Sequence, residues 1–248
     1  MVITSGGGVS RRAGGDAGSQ LEAAWDRLAF DLSPFGISSM FYGIVHVGSL
    51  FDPPEGLSRI AMWKTSYPES YLGFISHKGL LAEDYSVRRL FETGKPVLWS
   101  DATLFDQMRP EERRRWRRDD LLGFSTGVSI PVFAHGKRPC GGFGLCAGDT
   151  GPDAFEAIWT RNSQNMCALV TAFDRDYRLA LAHLTFPLSP REQAVLSLAA
   201  GGLTSDQMAH RLALSRKTVE AYLNSARRKM HAPNTTAAAA KAIFFNLL

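Results

Sequence analysis

The chain has 248 residues, 45% of them hydrophobic and 21% charged, with 28 Lys and Arg against 24 Asp and Glu. This is enough for one substantial domain plus a small one, and the composition is that of an ordinary globular protein, not of a disordered or fibrous one. No apolar run approaches the roughly 18–20 residues needed to cross a bilayer, so no membrane association is expected and the expected location is the cytoplasm.

Residues 1–20 contain glycines and two arginines but no apolar core. They lack the pattern of a secretory signal and read as a disordered extension. Leu21, Trp25, Leu28 and Leu32 then mark an amphipathic helix, broken by Pro34-Phe35-Gly36. Strands are predicted over 39–47 and 60–66, on either side of Pro53-Pro54, followed by helices over 69–77 and 83–92. A short strand at 97–99 comes after Gly94-Lys95-Pro96. The charged run from Arg109 to Asp120 predicts a helix over 110–122. Glu111 and Glu112 can pair with arginines one turn later, so its expected role is a solvated face and not a nucleic-acid contact.

Two apolar strands, 127–134 and 141–147, flank a turn at 135–139, and a long helix runs from Pro152 to about residue 182. Helices, then a sheet, then helices predict an α-β-α sandwich on a largely antiparallel sheet over residues 21–182. Cys140, Cys146 and Cys167 show no metal-ligand spacing with histidine and read as free thiols of a reducing compartment. No metal site is expected.

A short linker, 183–187, leads to a module over 188–248. Ser189 caps a helix with Pro190 at its first position and Glu192 near its positive end. This helix runs through Val195, Leu196 and Leu198 to Gly201-Gly202. Thr204 or Ser205 caps a second helix ending at Leu212, and Ser215 caps a third. Val219, Leu223, Ala226 and Met230 form the buried seam of the third helix. Arg216, Lys217, Glu220, Ala221, Asn224, Arg227 and Arg228 lie on its opposite face, where short and amide side chains can approach base edges and the cations can reach phosphates. Residues 186–248 hold 8 Lys and Arg against 3 Asp and Glu, a larger surplus than the +4 of the whole chain. The positive charge is therefore concentrated in this module, which points to double-stranded DNA.

The run Leu188-Ser189-Pro190-Arg191-Glu192, with Leu196, Gly202-Leu203-Thr204-Ser205, Met208-Ala209, Leu214-Ser215, Thr218-Val219 and Lys229-Met230, resembles the C-terminal domain of LuxR-type transcription regulators. Leu203, Tyr222 and Glu220 depart from the family's usual residues. The resemblance implies a four-helix, helix-turn-helix domain. Its third helix enters the major groove, and its fourth offers Ala237, Ala240, Ile243, Phe244 and Leu247 to a second copy. The DNA contacts expected are Ser215, Arg216, Lys217, Thr218, Glu220, Ala221, Asn224, Arg227, Arg228 and Lys229. The implied partners are a two-fold symmetric DNA operator, a second copy of the chain in a homodimer, and RNA polymerase.

In the same family the larger domain holds an acyl-homoserine lactone between sheet and helices. Asp84, Trp99 and Gly127 ahead of Val128-Ser129-Ile130-Pro131 match its spacing. The resemblance implies that the Asp84 carboxylate accepts from the ligand amide and that Trp99 packs on the lactone. Tyr71 and Ile75 stand where the family has Trp and Tyr, and Ser129 and Gly144 occupy lining positions, with Gly144 expected to open space for a longer acyl chain. Bland alternatives stay open: Asp84 as a helix cap, Trp99 and Tyr71 as core aromatics.

The expected fold class is thus α+β, an N-terminal sensor sandwich followed by a helix-turn-helix domain. The expected function is transcription regulation under a small amphiphilic signal, such as an acyl-homoserine lactone. A signal-independent or antagonistic regulator, or one that answers a non-lactone ligand, is the alternative. The signal is the only small molecule implied, with no cofactor. No Gly-x-Ser-x-Gly elbow, His-rich metal motif or phosphate loop supports an enzyme.

Overall fold

The structure is a computed structural model that describes residues 3–4, 8–9, 16–45, 60–75, 83–133 and 139–248. It divides into two compact units, Met1–Asp174 and Arg175–Leu248.

The first unit is built on a seven-stranded antiparallel sheet. Its strands are β1 (Ile3–Thr4), β2 (Gly8–Val9), β3 (Ser39–Val45), β4 (Ile60–Thr65), β5 (Val97–Leu98), β6 (Gly127–Val132) and β7 (Gly141–Cys146), ordered β2-β1-β4-β3-β7-β6-β5. Within the stretch expected to be a disordered extension, β1 pairs with β4 and β2 with β1. The first helix, α1 (Asp16–Leu32), also begins inside it. Short runs rich in apolar, aromatic and β-branched residues over 39–45 and 60–65 reveal those strands, whereas two-residue strands carry too few positions for any pattern to show.

Strand alternation separates the two faces of the sheet. Tyr42 of β3 and Phe143 of β7 are directly paired and their rings meet at 4.8 Å. On that face both contact Phe173 of the long helix α5 (Pro152–Thr185), and Trp25 of α1 packs edge-on against the same ring. The Tyr42 hydroxyl donates to Asp174 at 2.8 Å, so its buried polar end is satisfied. Lys64 of β4 is buried but pairs with Glu22 of α1 at 2.5 Å.

The opposite face presents Phe41, Gly43, Gly142, Gly144 and Ser129 towards three shorter helices. These are α2 (Glu69–Ile75), α3 (Tyr85–Thr93) and α4 (Pro110–Leu121). The architecture is the α-β-α sandwich expected from the sequence. The helix α5 runs through the first half of the expected linker, because His183, Leu184 and Thr185 are helix-compatible and the next proline is Pro187.

The second unit contains α6 (Pro190–Ala200), α7 (Ser205–Leu212), α8 (Arg216–Lys229) and α9 (Thr235–Phe244). Side-chain caps at Ser189, Thr204, Ser215 and Asn234 satisfy the orphan amides at each start. The turn between α7 and α8 passes through Ala213 in the left-handed region (φ 54°). Val195, Met208, Ala209 and Val219 form a core, with Leu203, Leu214 and Leu223 around it. Of the expected seam, Val219, Ala226 and Met230 are fully buried and Leu223 is half-buried against the core.

Candidate ligand cavity and DNA-reading surface

Between the glycine-rich face of the sheet and α2–α4 lies a cavity of about 130 Å³. Glycine is needed at two positions in this wall. A Cβ at Gly127 would come 2.6 Å from the Trp99 ring, and one at Gly144 would come 2.6 Å from the Tyr67 hydroxyl. Small residues in β6 and β7 thus let two aromatics lie against the sheet. This corrects one expectation: the space beside Gly144 is filled by Tyr67, whose hydroxyl donates to the Gly144 carbonyl at 2.9 Å, and is not open for a longer chain.

Four of the side chains along the wall form a directional string. Trp99 Nε1 donates to Ser129 Oγ at 2.8 Å, Ser129 Oγ to Ser86 Oγ at 2.8 Å, and Ser86 Oγ to Asp84 Oδ1 at 2.6 Å. Each donor points towards the carboxylate, the one net acceptor at the end of the row. Asp84 Oδ1 also accepts from the backbone amides of Ser86 and Val87, capping α3. Its other oxygen, Oδ2, stands 3.8 Å from Arg115 Nη2. Capping and cavity lining are therefore both present at Asp84, one through each oxygen.

Helix α4 departs from expectation. It is not simply a solvated face. Glu112, Arg115, Trp116 and Asp119 recur at the three- and four-residue steps of one helical stripe and all line the cavity. The Arg115 side chain is 5% exposed and donates from Nε to both oxygens of Asp119, at 2.9 and 2.7 Å. It also donates from Nη2 to Tyr71 at 3.3 Å. Glu112 is held by Arg88 at 2.6 and 3.0 Å and by the Arg109 amide at 2.7 Å. Such charges are tolerated inside only when paired. Burial pushes the Asp119 carboxyl up to about 6, against the opposing pull of Arg115. Burial likewise raises the Tyr67 and Tyr71 phenols, so both stay protonated donors.

Tyr71 is buried and stacks on Phe124 with ring centroids 3.7 Å apart, while Tyr67 meets both rings edge-on. Asp84, Tyr71, Trp99, Ser129 and Gly144 are thus brought together. Ile75 ends α2, and its side chain lies outside the described residues. Tyr67, Ser86, Arg115, Asp119 and Phe124 were not singled out in the sequence. The one legible signal for them was the spacing along 112–119, masked by its charge.

In the second unit, Arg216, Lys217, Glu220, Ala221, Asn224 and Arg228 are exposed on α8, and Arg227 is half-buried. Ser215 Oγ accepts the Thr218 amide at 3.0 Å and lies 2.8 Å from the Thr218 hydroxyl, so both belong to the cap. Arg216 is bonded to Glu220 at 2.9 Å and to Asp206 of α7 at 3.2 Å. Lys229 turns to Glu192 of α6 at 2.7 Å. Although burial opposes it, Lys229, the Ser189 amide and the Ser225 hydroxyl hold the Glu192 carboxyl down at about 2. On α9, Phe244 is buried and Ala237 is half-buried, while Ala240 and Ile243 remain exposed; Leu247 lies beyond the end of the helix and is buried, so the outward apolar surface is narrower than expected.

A sensor sandwich with an internal cavity, joined to a helix-turn-helix with a cationic face, defines a ligand-responsive transcription regulator. Residues 20–176 match the autoinducer binding domain, and residues 186–242 match the bacterial regulatory proteins of the luxR family. The chain belongs to the LuxR family of quorum-sensing regulators: it binds DNA through its helix-turn-helix and is not an enzyme. Regulators of this family bind DNA as dimers. It is similar to the transcriptional activator protein BjaR1 of Bradyrhizobium diazoefficiens, at 26% identity over 98% of this chain and 93% of the relative. It is also similar to the quorum sensing-dependent regulator RpaR of Rhodopseudomonas palustris, at 27% identity over 78% and 77%. Escherichia coli SdiA shares the fold, with a TM-score of 0.59 at 21% identity over 92% of this chain and 91% of that one. No helix among the described residues is long and apolar enough to cross a membrane.

Proposed function

We propose that the cavity binds a neutral, amide-bearing amphiphile of the acyl-homoserine lactone type, and that its occupancy governs DNA binding by α8. The observation that carries this reading is the hydrogen-bonded string Trp99–Ser129–Ser86–Asp84 along an otherwise apolar and aromatic wall. A ligand amide N–H donates to Asp84, and its carbonyl oxygens accept from Trp99, Ser129 or Tyr71. Gly144 belongs to the lining as well. Hydrogen bonds to a charged partner of this kind contribute about 1.5–3 kcal/mol each. Names among the relatives, including the quorum-sensing regulator RhlR of Pseudomonas aeruginosa, support a diffusible signal.

The DNA-bound form is a homodimer that uses the exposed part of α9, placing two α8 helices in successive major grooves of a two-fold symmetric operator. Arg216, Glu220, Ala221 and Asn224 face base edges. Lys217, Arg227 and Arg228 face phosphates, Ser215 and Thr218 set the helix start, and Lys229 supports the helix from behind. The regulator acts in the cytoplasm and contacts RNA polymerase there.

A second reading keeps the cavity and changes the ligand. Another structure of the same fold is SdiA in complex with octanoyl-rac-glycerol (TM-score 0.59, 19% identity over 91% of this chain and 88% of that one), which points to a non-lactone amphiphile. Calorimetric titration of the full chain with acyl-homoserine lactones of graded length and with monoacylglycerols tests both readings. Saturable binding of a lactone supports the first, binding of glycerides alone the second, and binding of neither overturns the sensor reading.

A further inference from the structure

We propose that Asp206 and Glu220 together aim Arg216 at a guanine, so that the start of α8 specifies a G·C pair, with Asp206 acting as a positioning residue that does not itself touch DNA. The inference rests on the DNA-reading role of α8 and goes beyond it by naming the base pair read and a residue on α7.

Arg216 is the first residue of α8, Glu220 follows one turn later, and Asp206 lies in the first turn of α7. Glu220 Oε1 accepts from Arg216 Nε at 2.9 Å, and Asp206 Oδ2 accepts from Nη1 at 3.2 Å. All three side chains are exposed, at 63, 69 and 47% for Arg216, Asp206 and Glu220. Pairs this exposed contribute little to stability. The fold of the module therefore does not depend on them, and their consequence lies in direction.

An unrestrained arginine samples many rotamers and loses that freedom when it is fixed on a base. Two anchors on different helices, reaching different nitrogens of one planar group, restrict both its position and its plane before DNA arrives. The anchored atoms are Nε and Nη1. Nη2 and the second hydrogen of Nη1 form the end-on donor edge that matches guanine O6 and N7. Glu220 is engaged through Oε1, and its other oxygen suits the amino group of cytosine N4. The triad thus offers two donors and one acceptor side by side, the complement of a G·C pair in the major groove. Its net charge is −1, so phosphate does not attract it, and the free oxygen of Glu220 can exchange its solvent hydrogen bond for one from a base amino group.

The test starts from duplexes randomised over the half-site. They are selected with the full-length chain at low salt, with and without a panel of acyl-homoserine lactones. The expected product has a G·C pair at one fixed position in each half-site. Changing that pair to A·T should weaken wild-type binding roughly 5- to 150-fold, the range of a bidentate base contact. Asp206→Asn should cut this discrimination several-fold, measured as the ratio of affinities for the selected duplex and its A·T variant. Glu220→Gln should do the same, and Arg216→Ala should abolish it. All three are surface changes, and unaltered melting temperatures separate the effect from unfolding. A ratio that Asp206→Asn and Glu220→Gln leave unchanged, whatever happens to absolute affinity, overturns the proposal. So does a selected site with no fixed G·C pair. If no duplex is enriched at all, the DNA-reading role of α8 fails first and the proposal with it.

Discussion

Asp84 serves α3 through Oδ1 and faces Arg115 through Oδ2. Asp84→Asn separates these roles, because asparagine caps a helix as well as aspartate does but lacks the charge. The expected outcome is a melting temperature close to wild type with lactone affinity at least tenfold weaker, read by calorimetry; unchanged affinity would show that Asp84 is a cap and nothing more. Asp119 gives a second residue-scale test. Its folded carboxyl titrates at about 6, above its ordinary value near 4, so the folded state binds the extra proton between those values. Stability of the sensor unit should therefore fall as pH rises from about 4 to about 6. Asp119→Asn should flatten that slope in urea titrations. A slope retained in the variant assigns the titration to another group.

At the scale of elements, α4 explains both what could be read in the sequence and what could not. Helix starts, the Tyr42–Ile44 and Ser129–Val132 alternations, and the α8 seam follow from period and capping, which depend only on nearby residues. The inward turn of Arg115 and Asp119 depends on partners far along the chain, Asp84 and Tyr71, and no local pattern encodes that pairing. Tyr67 escaped for a related reason: its place is set by the absence of a side chain at Gly144, across the sheet. Helices α6 and α8 add a pH prediction of the opposite sign. Glu192 is held at about 2, below the ordinary 4.5, so its clamp on Lys229 and the Ser189 amide stabilises fully above pH 4.5 and is lost as pH falls towards 2. Glu192→Gln should lower the stability of the helix-turn-helix unit by about 1.5–3 kcal/mol at pH 7 and remove this acid sensitivity. Equal acid sensitivity in both proteins would contradict it. On the outer side of α8, Arg228→Ala should weaken binding to every duplex alike and reduce the salt slope by about 1. Asn224→Ala should instead reduce discrimination between selected and altered sites by about 1–3 kcal/mol. Matching behaviour of the two variants would mean that the base-facing and phosphate-facing positions are misassigned.

For the molecule as a whole, a ligand that binds only the folded sensor stabilises it by mass action, about 2.7 kcal/mol at a hundred times its Kd. The polar groups around the cavity are already bonded to one another, as in Trp99 to Ser129 and Arg115 to Asp119. A signal must therefore exchange hydrogen bonds as well as fill space, which favours ligands whose polar groups fit and leaves purely apolar ones weak. Control of transcription then requires that the occupied and empty forms differ in DNA affinity, a coupling that is reciprocal. Fluorescence anisotropy of a selected duplex, titrated with the full-length chain in the presence and absence of a lactone shown to bind, measures that coupling directly. The expected result is a shift in duplex affinity of at least fivefold between the two titrations, lost in Asp84→Asn. Superimposable curves at saturating lactone would contradict ligand control of DNA binding.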